Sequence, residues 1–287
     1  MRVLVNLLGK VTLSSMFFTT PAMINGSGED AGGARFQNEN MPYYSSTVIK
    51  KFVSYSPAVA QPAIAAERPD ESGSGATSDA KMAETKRVIN EAVFLYEDLS
   101  LEKDSLSEKA FEYAWRGYHN LLKKGLIRKQ NVLSICDFSQ SSRNKRMYVI
   151  DLRHKRLLYR TYVAHGQNSG GEFANSFSNT PDSYMSSLGF YVTERTYFGR
   201  NGLSLKISGV DSGYNDMAGK RNIVLHGSTY VCQKFIQKYG TIGTSLGCPA
   251  LPLKMSKRII RAVRGGSCLF IYHPTEKYLE GSPVING

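Results

Sequence analysis

Several things that would settle a class at once are scarce in this sequence. It has four cysteines in 287 residues. Cys136, Cys232, Cys248 and Cys268 are widely spaced and form no C-x-x-C pair. That excludes a disulfide scaffold, which needs dense cysteines, and a structural zinc site, which needs close pairs. No apolar run reaches the roughly 18 residues of an ordinary membrane helix. There is no heptad array, no repeat of roughly 20–50 residues and no collagen period. Acidic residues are also short, with 24 Asp+Glu against 36 Lys+Arg and a net charge of +12. The excess does not sit in the first 80 residues, which are nearly balanced; residues 81–287 carry +13. A folded basic body points to an anionic partner, though solubility alone would account for it as well. No RNP-type aromatic pair, finger spacing or recognition helix is present, so nucleic acid is not expected. Nothing calls for a metal or an organic cofactor.

What is present falls into blocks. Residues 1–24 read as a signal peptide: Arg2 supplies charge, Val11 to Phe18 is moderately apolar, and Thr20-Pro21-Ala22 offers a cleavage site. No cysteine follows to carry a lipid. Residues 25–80 are rich in Gly, Ser, Ala, Pro and Asn, including Glu71-Ser72-Gly73-Ser74-Gly75, and read as a linker. Residues 81–130 read as helical. Val88, Ala92, Leu95, Tyr96 and Leu99 recur at helical steps. A second helix starts at Ser107 as N-cap, carries Phe111, Ala114, Trp115, Tyr118 and Leu121, and ends at Gly125. From Val132 the period becomes that of strands. Met147–Leu152 and Leu157–Ala164 form a hairpin, and a second hairpin turns on Asn201-Gly202. A short strand is expected at Arg221–Leu225, helices at 228–239 and 252–263, and a last strand at Cys268–Tyr272. Residues 276–287 read as a tail. The fold class is α+β, helices first and then a strand-rich domain at 131–275.

Two residues stand where chemistry can happen. His226 follows Ile223-Val-Leu at an expected strand end. Cys248 sits in Thr241-Ile-Gly-Thr-Ser245-Leu-Gly247-Cys248-Pro-Ala. A residue before proline is pushed to extended geometry, which displays its thiol. Gly243 and Gly247 allow tight turns, and the amides of Gly247 and Cys248 could serve as an oxyanion hole. A thiol needs an imidazole or other base to become a good nucleophile. Spacing alone does not separate such a pair from two unrelated residues, and a zinc site from His226, Cys232 and Cys248 has no matching spacing. The other three cysteines read as small buried hydrophobes. His119, His154 and His273 read as surface or local structure.

The pair His226-Gly and Ser245-x-Gly-Cys248 resembles the catalytic signature of the YkuD-type L,D-transpeptidases. A longer set resembles the murein L,D-transpeptidase branch: His165-Gly-Gln-Asn-Ser169-Gly170, Phe177-Ser-Asn-Thr-Pro181, Ser187-Leu-Gly189-Phe, Asn215-Asp-Met-Ala218, His226-Gly and Ser245-Leu-Gly-Cys248-Pro-Ala. The resemblance covers roughly residues 85 to 275. It implies a YkuD-like fold with Cys248 as nucleophile, His226 as its base, Gly247 and Cys248 as oxyanion-hole backbone, and Ser245 shaping the loop. Thr180, Pro181 and Gly189 match the segment lining the substrate groove, and Gly227 and His165 are placed beside it. His165 is open between a site role and a structural one. Leu246 stands where the wider family has a second His, and Thr244 where the branch commonly has Arg.

The implied function is an exported, monomeric cysteine acyltransferase without cofactor or metal. Its partners would be peptidoglycan stem peptides, as donor and acceptor. An L,D-carboxypeptidase or other cysteine hydrolase, and a silent wall-binding protein, remain as alternatives.

Overall fold

The computed structural model of the chain describes residues 74–287; the expected signal peptide and the linker up to residue 73 lie outside the described residues. Two helices lead, α1 (Ser74–Asp98) and α2 (Glu108–Lys123). The end of the stretch expected as linker is therefore helical from Ser74. α2 opens as expected, with Ser107 Oγ accepting the Ala110 amide at 3.3 Å. It closes on Gly125, whose φ is +67°. The Leu126 and Gly125 amides there donate to the Leu121 and Leu122 carbonyls, a stop that needs a left-handed residue.

Eight strands follow: β1 (Val132–Asp137), β2 (Met147–Asp151), β3 (Arg156–Thr161), β4 (Gly189–Gly199), β5 (Gly202–Gly209), β6 (Val224–Ser228), β7 (Ala250–Pro252) and β8 (Cys268–Tyr272). Their order in the sheet is β3-β2-β1-β8-β4-β5-β6-β7. β8, last in sequence, lies at the centre, parallel to β1 and antiparallel to β4. Its residues are all buried, as a continuous apolar run predicts for a strand covered on both faces. The two ends of the sheet meet. Ala164, just beyond β3, bridges Ala250 in β7, and Gly166 bridges Ser245. This closure curls the sheet into a near-barrel and brings the His165 segment against the Cys248 loop.

Several boundaries differ from expectation for local reasons. The strand expected at Arg221–Leu225 is β6, three residues later. Asn222 takes φ +54°, and the Arg221 and Ile223 amides turn back to the Met217 and Ala218 carbonyls. His226 is thus the middle residue of its strand, not its end. Ser228 still belongs to β6, so the next helix, α3, is Gln233–Tyr239. Cys232 becomes its N-cap residue and is half-buried, its thiol donating to the Thr229 carbonyl at 3.4 Å. Cys136 and Cys268 are buried as expected, and all four thiols are free. In the β4–β5 hairpin the positive φ falls on Gly202 and not on Asn201. α4 is Leu253–Val263, with Pro252 just before it. The expected tail forms α5 (Glu276–Gly281). It buries Tyr278, with Val284 and Ile285 after it, so it belongs to the core. Among the described residues no helix is long and apolar enough to cross a membrane.

Candidate active site

β6 and β7 run parallel, with His226 opposite Ala250. Cys248 lies two residues before Ala250, so the parallel register sets it beside Val224, two positions before His226. Two strand residues rise about 6.6 Å, so Cys248 and His226 stand two residues apart along one strand pair. They are not hydrogen-bonded to each other. Cys248 Sγ instead accepts the Val224 amide at 3.4 Å and points its own proton to the Asn222 carbonyl at 3.7 Å.

The imidazole is buried and its Nδ1 lies 3.1 Å from the Gly227 carbonyl. A carbonyl only accepts, so Nδ1 carries the proton and Nε2 keeps a free lone pair. Burial lowers the His226 pKa from its ordinary value, which keeps the ring neutral and able to act as a base. Burial also raises the Cys248 pKa, with the Val224 amide and Arg221 opposing it. The resting pair is a neutral thiol beside a neutral imidazole, not the thiolate with depressed pKa that a preformed ion pair would give.

The loop carrying Cys248 is fixed by its backbone. The Ser245 amide donates to the His165 carbonyl at 2.9 Å, and the Ser245 carbonyl accepts the Gln167 amide at 2.7 Å. Ser245 Oγ accepts the Gly247 amide at 3.1 Å and lies 2.6 Å from the Cys248 carbonyl, to which it can donate. The two amides expected at an oxyanion hole differ in this resting structure. Gly247 N–H is engaged, whereas Cys248 N–H has no partner among the described residues. Gly247 has φ +115°, and a Cβ there would lie 2.8 Å from the Met185 carbonyl.

The other expected site residues separate. Thr180 and Pro181 are exposed at the tip of a loop whose base is closed by Ser178 N–H to Ser186 O and Ser187 Oγ to Ser178 O. The parts of that loop that reach Gly247 are Met185 and Ser186, whose Oγ donates to the Gly247 carbonyl at 3.5 Å. Gly189 is buried, and a Cβ on it would strike Asp211 and Asn215, so packing requires glycine there. Gly227 is buried against α4, where a Cβ would meet Ser256 Oγ at 2.4 Å, and it serves the site through its carbonyl. His165 is 1% exposed. Arg146 Nη2 stands 2.6 Å from its Nδ1, and its Nε2 is 3.1 Å from the Gly170 carbonyl. Its ring is therefore held at both nitrogens, and burial with Arg146 lowers its pKa to about 4.

Sequence reasoning missed Arg221. Its guanidinium donates to the Ser178 carbonyl at 2.7 Å, the Met185 carbonyl at 2.6 Å, Ser183 Oγ at 3.1 Å and Ser187 Oγ. It straps the 178–187 loop down beside Gly247 and bears electrostatically on Cys248. Nothing in the pattern marks this Arg among 36 basic residues, because its partners are distant in sequence.

The model of the L,D-transpeptidase catalytic domain matches residues 102–272. The chain belongs to that family. The match takes in both Cys248 and His226 and every strand of the near-barrel. No curated protein matches the sequence. Among solved structures it is similar to an L,D-transpeptidase from Mycobacterium smegmatis, at 10% identity and TM-score 0.32 over 50% of this chain and 59% of that one. L,D-transpeptidase 3 from Mycobacterium tuberculosis gives 12%, 0.32, 50% and 61%. An L,D-transpeptidase from Xylanimonas cellulosilytica gives 12%, 0.30, 54% and 68%. The chain spans 59% of the length of the first of these. Among the described residues no group of three His, Cys, Asp or Glu side chains could hold a metal ion.

Proposed function

We propose that this family member is an exported peptidoglycan L,D-transpeptidase working through a Cys248 thioester. The observation that carries the reading is the contact of His226 Nδ1 with the Gly227 carbonyl. With Nδ1–H held by Gly227, Nε2 is left as an open base two residues along the strand pair from Cys248. Nε2 takes the thiol proton as Sγ attacks the carbonyl of the third stem residue. The oxyanion forms against Cys248 N–H. The intermediate collapses, the amine of D-Ala leaves with the proton from Nε2, and a thioester remains. The amine of a second stem attacks that thioester and passes its proton to Nε2. Cys248 then leaves as the thiol and the new amide is complete. The acceptor must outrun water, and a half-buried sulfur favours that. Thr180 and Pro181, at the loop tip, would meet the stem peptides.

The test is incubation of the purified protein with a wall tetrapeptide, followed by mass spectrometry. Released D-Ala, a chain adduct and a cross-linked product are expected, all absent in Cys248→Ser. D-Ala without cross-linked product would make the enzyme a carboxypeptidase; neither would sink the enzymatic reading.

A further inference from the structure

The outer face of α4 has no part in that chemistry. The inner face is spent on the core, with Ser256, Ile259, Ile260 and Val263 buried and Ser256 seated against Gly227. The outer face presents Lys254, Lys257, Arg258 and Arg261, and Arg264 continues the line; all five are exposed. α4 contains no acidic residue. Among the described residues none of the five makes an ion pair. Lys129 adds a sixth cation at the far end, its Nζ donating to the Ala262 carbonyl at 2.5 Å. At about 1.5 Å per residue the line is about 15 Å long, with a cation at nearly every turn.

The shape of this charge selects its partner. It is a convex ridge one helix wide, suited to a chain more than to a plane. An interfacial helix needs an apolar face free to enter lipid, and here Leu253 alone of the large apolar residues of α4 is exposed, Ile259, Ile260 and Val263 being buried. No aromatic residue lies in α4 to stack a base. Arginine forks match phosphate oxygens. We propose that the outer face of α4 docks a linear sugar- or polyol-phosphate polymer of the cell wall. This rests on the wall-acting reading above for its setting, though not for its binding. Docking there would hold β6, which α4 backs directly, close to the wall.

The test is binding of the full chain to poly(glycerol phosphate), followed across a salt series. The parent should bind with an affinity that falls steeply as salt rises. Lys254→Gln/Arg258→Gln/Arg261→Gln should bind at least about tenfold more weakly and lose about two units of log–log salt slope, at about 0.7 per phosphate contact on a single chain. A control, Lys123→Gln/Lys155→Gln/Arg156→Gln, removes the same charge from cations that are paired with Glu84, Asp98 and Asp151. It should bind as the parent does. Equal weakening in both triples would reduce the effect to net charge and overturn the proposal. So would binding to phosphatidylglycerol vesicles or duplex DNA without binding to the polymer. Cys248→Ser should bind unchanged. Polymer binding by a parent protein that releases no D-Ala would leave the docking face standing and remove the transpeptidase reading alone.

Discussion

Arg221 offers the sharpest test of how this site is built. Its side chain makes four hydrogen bonds to the 178–187 loop, two to carbonyls and two to serine hydroxyls. Bonds from a charged donor contribute about 1.5–3 kcal/mol each. The guanidinium is half-buried, and water can replace part of what Arg221→Gln removes, so the net loss should be about 2–4 kcal/mol. For a domain of this size that lowers Tm by about 5–15 °C. The same change removes a field that opposes burial at Cys248, so the pH midpoint of thiol alkylation should rise. Arg221→Lys separates the two effects. Its ammonium keeps the charge but cannot span Ser178, Ser183, Met185 and Ser187 together. The lysine variant should therefore lose stability and acylation rate while its alkylation midpoint stays near the parent's. If Arg221→Gln melts and alkylates like the parent, Arg221 is an ordinary surface cation and the strapping argument fails.

His226→Gln should slow acylation by about 10²–10⁴-fold, the usual range for a lost general base, measured as adduct formation by intact mass. In the parent, the acid limb of the acylation profile should fall below the ordinary histidine value of 6.5, because burial lowers the pKa of His226; a limb above 6.5 would contradict the neutral-pair site. His165, with a folded pKa of about 4 against 6.5, makes stability depend on acid. The unfolded chain binds the proton first as pH drops through 6.5, so stability is present above that pH and is lost progressively towards pH 4, by up to about 3 kcal/mol. Denaturant titrations across pH 4–7 should show this slope in the parent and a shallower one in His165→Gln.

What the sequence discloses and what it hides follow a physical line. Ser107 and Gly125 mark the ends of α2 because capping is local: an Oγ three residues from an amide, and a left-handed φ at the stop. The buried run of β8 reveals a covered strand, but not that the strand lies between β1 and β4, which only the pairing of distant segments decides. Cys248 and His226 are legible as types and motif. Their relation is not, because it depends on the parallel register of β6 with β7 and on the Asn222 turn that moved β6 along the chain. The true surroundings of His165 turn on Arg146, a buried cation with no carboxylate bonded to it among the described residues. A serine two residues before a glycine amide competes for that amide, and in the resting structure Ser245 Oγ takes the Gly247 N–H.

That competition leads to the last prediction. Ser245 Oγ has a single proton. The Cys248 carbonyl at 2.6 Å is closer to it than the His165 carbonyl at 3.3 Å, so the hydroxyl accepts from Gly247 and donates to Cys248. Both bonds close one tight turn around the nucleophile. Ser245→Ala leaves the backbone of residue 245 held, since its amide and carbonyl are bonded to His165 and Gln167. The loss falls on residues 247 and 248, where an amide and a carbonyl lose their partner in a mostly buried loop, at a cost of about 1–3 kcal/mol. Freeing the Gly247 amide would favour the oxyanion, while loosening the turn would disfavour it. The turn should dominate, because the Cys248 N–H is useful only while Cys248 is held beside Val224. Acylation should therefore fall by about tenfold, equivalent to about 1.4 kcal/mol of barrier, and Ser245→Thr, which keeps the hydroxyl, should recover most of it. Acylation at or above the parent rate in Ser245→Ala would reverse the assignment: Gly247 would then be an oxyanion donor that Ser245 holds in check, and the hydroxyl a brake on the enzyme instead of its brace.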